Sequence, residues 1–338
     1  MTHSERLAAF VRLGHRLLAL SDDELLNLVA RARNHNPWFD ERNVRAGVAG
    51  VAHLLDENAL TGWAGRYPLE PAVAPRNVGV VMAGNIPMVG FHDLLCVLLS
   101  GHTLLAKLSA DDNILLRWVA NELVSIEPRF QERLQFVELL RNADAYIATG
   151  SDNTARYFEY YFSKKPHLIR RNRSSLGVLA GLEPREELAA FGADIFQYYG
   201  LGCRNVSKLL VPAGYDFTPL LDSLQPWEFV LDHHRYNNNY DYQKSLLLVN
   251  RVPHLDTGFL LLTESMQLVS PISVLHYSQY ADNDDLQQQL AEIAPQTQCV
   301  VSVGGWYAGS VPAGRAQQPG VHEYADGVDT MAFLTALA

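Results

Sequence analysis

The chain has 338 residues, 48% of them hydrophobic, enough for two domains or for one large α/β unit with an inserted subdomain. Its formal charge of −10 argues against a nucleic-acid or membrane-surface protein. Three cysteines without a CxxC pair exclude a disulfide scaffold and a cysteine-based metal site, and suit a reducing compartment.

The opening Met1-Thr2-His3-Ser4-Glu5-Arg6 lacks the basic-then-apolar build of a secretory signal. The most apolar stretch, 86–108, is interrupted by His92, Asp93, Gly101 and His102 and is too polar to span a bilayer. A cytoplasmic location is expected. Residues 4–20 and 21–35 read as helices from the spacing of their leucines, with a capping box at Ser21-Asp22-Asp23-Glu24. A third helix is expected from about Asp40.

From residue 78 short apolar runs alternate with amphipathic ones. Strands are expected at 78–83, 103–107, 134–137 and 143–148. Helices are expected up to Leu99, from Asp111 or Asp112 towards Glu127, and from Ser151 through Phe162. After 174 the pattern resumes with strands at 176–180, 208–212, 259–262, 271–277 and 299–303, and helices at 184–199 and 283–294. Residues 232–245 read as an ordered loop. Such alternation indicates parallel sheets covered by helices.

Cys203 stands apart from the other cysteines. Cys96 and Cys299 lie in apolar runs and read as core fillers. Cys203 follows Gly200-Leu201-Gly202 and precedes Arg204-Asn205. Glycines let a backbone approach a ligand, and a nearby cation favours the thiolate. A buried loop cysteine is the plainer alternative. No GxGxxG opens a helix after a strand, and no Walker loop, HExxH or GxSxG elbow is present. His233-His234 have no third ligand at metal spacing, so no metal is expected.

Four segments in order resemble the aldehyde dehydrogenase superfamily. They are Asn85-Ile86-Pro87, Gly101-His102-Thr103-Leu104-Leu105-Ala106-Lys107, Ala148-Thr149-Gly150-Ser151 and Gly200-Leu201-Gly202-Cys203. The acyl-CoA reductase branch, which includes the luciferase-associated fatty acyl reductases, is the nearest resemblance. It rests on Asn238-Asn239-Tyr240-Asp241-Tyr242-Gln243-Lys244-Ser245, Ser270-Pro271-Ile272-Ser273-Val274 and the run from Tyr324 to Thr330.

The resemblance implies a parallel-sheet nicotinamide cofactor domain with a helical N-terminal lead-in (1–173), and an α/β catalytic domain carrying Cys203 (174–310). A C-terminal segment (311–338) is expected to pack back on the body. Cys203 is the implied nucleophile and Asn85 the oxyanion donor. Lys107 is implied to meet the cofactor ribose, Gly150 and Ser151 the pyrophosphate, and Glu264 the nicotinamide ribose. Ala110 stands where the superfamily has an acidic residue, which favours NADPH, with NADH as the alternative. Where hydrolytic members carry a Glu-Leu-Gly-Gly segment upstream of the cysteine, the corresponding stretch here is Ile169-Arg170-Arg171-Asn172-Arg173-Ser174-Ser175-Leu176-Gly177, with no carboxylate to activate water.

The expected function is reduction of a long-chain acyl-CoA thioester to aldehyde through an acyl-cysteine. The alternatives are a non-catalytic subunit or binding protein of the same fold, and an aldehyde-oxidising dehydrogenase. A homo-oligomer and an acyl-activating partner protein both stay open. Arg170, Arg171 and Arg173 are equally open between contacts to coenzyme A phosphates and a solvated basic face.

Overall fold

The computed structural model describes residues 1–69, 74–150 and 152–337. Contacts divide the chain into two units, Met1–Asn172 with Pro319–Ala338, and Arg173–Gln318. Unit 1 opens with α1 (His3–Leu18), α2 (Asp22–His35), α3 (Glu41–Leu54) and α4 (Glu57–Ala64). Each starts on a side chain that accepts from its first turn. Thr2 and Ser21 form reciprocal capping boxes with Glu5 and Glu24, while Asp40 and Asp56 cap alone. α1 buries Phe10, Leu13 and Leu17. It runs so close to the end of α3 that a Cβ on Gly14 would stand 2.9 Å from Leu55 Cβ.

An α/β succession follows: β1 (Asn77–Val81), α5 (Phe91–Leu99), β2 (Thr103–Lys107), α6 (Ile114–Ile126), β3 (Leu134–Phe136), β4 (Ala145–Gly150), α7 (Asp152–Phe162) and β5 (His167–Arg171). The strands are parallel, in the order β3-β2-β1-β4-β5. β1, β2 and β4 are apolar along most of their length because helices cover both faces of such a sheet. The chain steps from β1 out to β3 and then returns to β4 on the other side of β1. That reversal creates a switch point between the carboxyl ends of β1 and β4. Asn113, at the N-cap of α6, makes no side-chain cap bond; the carboxylate of Asp112, an expected cap, meets the Leu115 and Leu116 N–H groups of the first turn.

Unit 2 comprises β6 (Ser174–Val178), α8 (Arg185–Leu188), α9 (Phe191–Phe196), β7 (Val206–Pro212), α10 (Thr218–Ser223), α11 (His234–Val249), β8 (His254–Asp256), β9 (Leu261–Glu264), β10 (Val274–Tyr280), α12 (Asn283–Ile293), β11 (Thr297–Ser302) and β12 (Val311–Pro312). Its sheet runs β12-β11-β6-β7-β10-β9-β8, parallel except for the edge strand β8, which is antiparallel to β9. Two expectations need correction here. The helix expected over 184–199 is two short helices that stop at Phe196, since Tyr198 and Tyr199 take left-handed φ of 55° and 57°. The loop expected over 232–245 is the 16-residue α11. It buries only Tyr236 and Tyr240, whose hydroxyls donate to Phe259 O at 3.0 Å and Asp256 Oδ1 at 2.6 Å.

Residues from Pro319 onward belong to unit 1 and end in α13 (Thr330–Thr335). Buried polar bonds fasten this segment. Arg170 donates to Thr330 Oγ1 at 2.6 Å, His102 Nε2 pairs with Leu334 O at 3.0 Å, and Trp63 Nε1 donates to Tyr324 OH at 2.9 Å. His92, unassigned by sequence, pairs through Nε2 with Val321 O at 2.8 Å and packs edge-on to Tyr324. Arg170 is not part of a phosphate-binding patch. It is buried on β5 and grips Asp93 of α5 through Nη1, at 2.9 Å to Oδ1 and 2.8 Å to Oδ2. Burial works against its charge, but the adjacent carboxylate outweighs that and raises its pKa. Arg171 is paired with Glu159 at 2.9 Å. Among the described residues, no helix is long and apolar enough to cross a membrane.

Candidate functional site

In unit 1, parallel pairing brings three expected residues to one edge of the sheet. Val81 is level with Lys107 and with Ala148, so Lys107, the turn after β1 and Gly150 all stand at adjacent carboxyl ends. This is the switch-point edge, where open α/β sheets take ligands. Lys107 is exposed and Asn85 lies exposed in the turn. Ser151 falls outside the described residues.

The turn carrying Asn85 is held at three points. A Cβ on Gly84 would stand 2.5 Å from Ser109 Cβ, and one on Gly47 of α3 would stand 2.8 Å from Pro87 Cβ. Met88, left-handed at φ 60°, donates its N–H to Asp112 Oδ2 at 2.6 Å. Asp112 is 1% exposed and its Oδ1 has no hydrogen-bond partner. Burial lifts its pKa to about 7, against the pull of the Met88, Leu115 and Leu116 N–H groups.

A folded pKa above the unfolded value gives stability that is complete in acid and is lost as pH rises through about 7. Asp112→Asn keeps an acceptor for Met88 and cannot ionise. Thermal melts should therefore show the variant gaining about 2 kcal/mol on the natural chain between pH 5 and pH 8. Equal pH slopes would mean that Asp112 is charged throughout.

In unit 2, Cys203 is half-buried in the turn before β7. The backbone leading into it is left-handed at three successive residues, Tyr198, Tyr199 and Gly200, the last at φ 76°. Such conformations cost the tyrosines roughly 1–3 kcal/mol each and persist only where the surroundings impose them. Asn205, 2% exposed, imposes them here. Its Nδ2 donates to Asp194 O at 3.0 Å, Ile195 O at 3.2 Å and Gln197 O at 2.9 Å, and its Oδ1 accepts from Gly202 N–H at 2.8 Å. A cavity of about 30 Å³ beneath this turn is lined in part by Phe196, Tyr199, Tyr236, Ile272 and Val274. It joins the turn to the Ser270–Val274 segment and is large enough for a water.

Ser175 of β6 is fully buried and its Oγ donates to Cys203 O at 3.0 Å. Pairing is irregular on both sides of it. On β11, Thr297 and Val300 face Ser174 and Leu176, so Gln298 and Cys299 both oppose Ser175. On β7, Val206 faces Ser175 and Lys208 faces Leu176, which leaves Ser207 as the extra residue. Such bulges re-aim side chains. The one beside Ser175 turns Cys299 inward, with its N–H donated to Ser175 Oγ at 3.2 Å and its Sγ 3.1 Å from that oxygen.

Glu264 ends β9 and is exposed. The register sets it level with Tyr277 and Leu209, so it lies two strands across the sheet from β7 and six positions beyond Cys203. The segment after Glu264 is held by its backbone. Lys208 Nζ donates to Ser265 O at 3.0 Å and Met266 O at 3.2 Å, His276 Nδ1 pairs with Gln267 O at 3.2 Å, and Ser207 Oγ donates to Leu268 O at 2.8 Å. Lys208 is 2% exposed, and burial lowers its pKa. A larger cavity, of about 300 Å³ beside Glu183, Tyr215 and Asp216, sits at the carboxyl ends of β6 and β7, the end opposite Cys203. Among the described residues, no three His, Cys, Asp or Glu are placed to hold a metal ion.

Sequence reasoning gave Ser175, Lys208 and Asp112 no place among the site residues. Their importance comes from bulges and long-range pairing, and the available signal was polar residues set within otherwise apolar strands.

Neither a family model nor a curated protein sequence matches the chain. Solved structures do. A putative aldehyde dehydrogenase from Burkholderia cenocepacia superposes with a TM-score of 0.66 at 17% identity, over 89% of this chain and 74% of that one. The fold is that of the aldehyde dehydrogenases. An aldehyde dehydrogenase from Bacillus cereus in complex with NAD+ gives a TM-score of 0.63 at 13% identity, over 89% and 72% of the two chains. One from Mycobacterium tuberculosis, also complexed with NAD+, gives 0.61 at 13% identity, over 89% and 73%.

Proposed function

We propose that the protein is an NADPH-dependent acyl-CoA reductase that forms aldehyde through an acyl-cysteine. The observation that carries the reading is the pairing of Cys203 with Ser175. A half-buried cysteine sits on a turn held by backbone and Asn205 bonds, and the neutral Ser175 hydroxyl donates to the cysteine's backbone carbonyl. Ser175 lies in the stretch where hydrolytic members of the superfamily carry their glutamate, so an acyl group on Cys203 meets no general base from that stretch. An acyl-enzyme so placed persists long enough for reduction.

In this reading the Cys203 thiolate attacks the thioester carbonyl, its S–C bond forms, and the C–S bond to coenzyme A breaks, the departing thiolate taking a proton. The Cys203 N–H donates to the oxyanion, and Asn85 is assigned as a second donor on its resemblance alone. One such donor is worth roughly 3 kcal/mol of barrier. The switch-point edge of unit 1 suits a dinucleotide: Lys107 is exposed there, and at Gly150 a Cβ would meet Thr154 Cβ at 3.0 Å, so the backbone stays bare. When bound, the nicotinamide supplies hydride to the acyl carbon. Lys107, Gly150, Ser151 and Glu264 are assigned to hold it. Collapse of the resulting thiohemiacetal frees the aldehyde and restores the Cys203 thiolate.

The test is NADPH oxidation by the purified protein with and without a long-chain acyl-CoA. Acyl-CoA-dependent oxidation with aldehyde as product is expected. Oxidation of aldehyde with no reduction of acyl-CoA would replace the reading with an aldehyde-oxidising dehydrogenase. Inertness with both NADPH and NADH would replace it with a binding protein of this fold.

A further inference from the structure

The bulge on β11 does more than interrupt a ladder. It lifts Cys299 out of register so that its N–H and its Sγ both address Ser175 Oγ, at 3.2 and 3.1 Å. The same oxygen donates to Cys203 O at 3.0 Å. One buried hydroxyl therefore touches both cysteine residues, one from each side of β6. Both are half-buried rather than sealed in the core, and neither is in a disulfide. Cys96 provides the contrast: it is fully buried in unit 1, and burial raises its pKa well above the usual thiol value, which keeps it protonated and inert.

We propose that Cys299 is a resolving thiol for Cys203, and that hydrogen peroxide converts the pair into a reversible intramolecular disulfide across Ser175. The proposal rests on the assignment of Cys203 as a reactive thiol. In the first step the Cys203 thiolate attacks one peroxide oxygen. An S–O bond forms, the O–O bond breaks, and the departing hydroxide takes a proton to become water. The sulfur is oxidised to a sulfenic acid and the peroxide is reduced. In the second step the Cys299 thiolate attacks that sulfur. The S–S bond forms, the S–O bond breaks, and hydroxide leaves with the proton given up by Cys299 as a second water. The two thiols together lose two protons and two electrons, and a dithiol returns them by exchange.

A disulfide tolerates only a narrow range of separations. Closing the bond requires the Cys203 turn to shift towards β11. It precedes β7 and lies outside the sheet ladder, tied to β6 through Ser175 Oγ, and the bulge has already taken Cys299 off its own ladder position. The arrangement protects a nucleophile that would otherwise pass to sulfinic acid, from which ordinary thiols do not rescue it.

The experiment treats the full chain with equimolar hydrogen peroxide, digests it without reductant and maps the peptides by mass spectrometry. A Cys203–Cys299 crosslinked peptide, two hydrogens lighter than its parts and released by dithiothreitol, is expected. In Cys299→Ser, the Cys203 peptide should instead be trapped by dimedone and proceed to sulfinic acid, with at least about a tenfold loss in the fraction that dithiothreitol restores. Cys299→Ala, which leaves no hydroxyl, guards against a folding artefact of the first variant, and both are checked by their melting temperatures. If Cys203 is oxidised and alkylated readily but never crosslinks to Cys299, this proposal falls and the nucleophile assignment stands. If Cys203 reacts with peroxide and iodoacetamide no faster than Cys96, both fall.

Discussion

Cys203→Ala is expected to abolish acyl-CoA-dependent NADPH oxidation, a loss on the order of 10⁴-fold or more, because removal of a covalent nucleophile removes the intermediate itself. The fold should survive. The bonds that shape the turn run through the Cys203 carbonyl to Ser175 and through Asn205 to four backbone groups, and alanine leaves all of these in place. A side chain that is half-buried and shortened by one atom costs little, within about 1 kcal/mol. Intact-mass measurement after mixing with acyl-CoA should show an acyl adduct on the natural chain and none on the variant. Turnover retained by the variant would remove Cys203 from the mechanism.

The second large effect lies far from any thiol. Asp93→Ala should destabilise unit 1 by about 3–5 kcal/mol, since it strands the Arg170 guanidinium in the core. Arg170 is 3% exposed, receives both Asp93 oxygens on Nη1, spends Nη2 on Thr330 and already leaves Nε without a partner. Among the described residues no other carboxylate bonds it. The melting temperature should fall on the order of 10 °C. The paired change Asp93→Leu with Arg170→Met removes both charges at similar volume and should recover most of the loss. Two equal losses would show that the network, rather than the stranded charge, sets the cost.

Much of the α/β frame could be read from residues because burial on both faces forces a simple pattern. Val78 to Val81 and Thr103 to Ala106 are apolar without alternation, and only a covered parallel strand allows that. The capping box at Ser21 is equally local. β5 escaped notice because its inward residues are Leu168 and a paired arginine, so His167-Leu168-Ile169-Arg170-Arg171 looks basic rather than buried. α11 escaped because three asparagines dominate its first turns and two tyrosines are its whole inner face. Cys203 announced itself through its flanking glycines and polar neighbours. Ser175 could not, since its role exists only where bulges on two different strands meet. Asp112 was read as a helix cap, and its carboxylate does meet the Leu115 and Leu116 N–H groups of the first turn of α6; its tie to Met88, 24 residues away in sequence, had no local signal.

The return of residues from Pro319 to unit 1 carries a consequence for synthesis. Unit 2 leaves the ribosome before unit 1 is complete, because the partners of Arg170, His102 and Trp63 on Thr330, Leu334 and Tyr324 are made after it. Until then the nascent chain holds an unfinished unit 1, with the surface that α13 will cover open to the solvent. Unit 2 can fold as soon as β12 emerges, so the usual order of domain completion is inverted: the unit begun second is finished first.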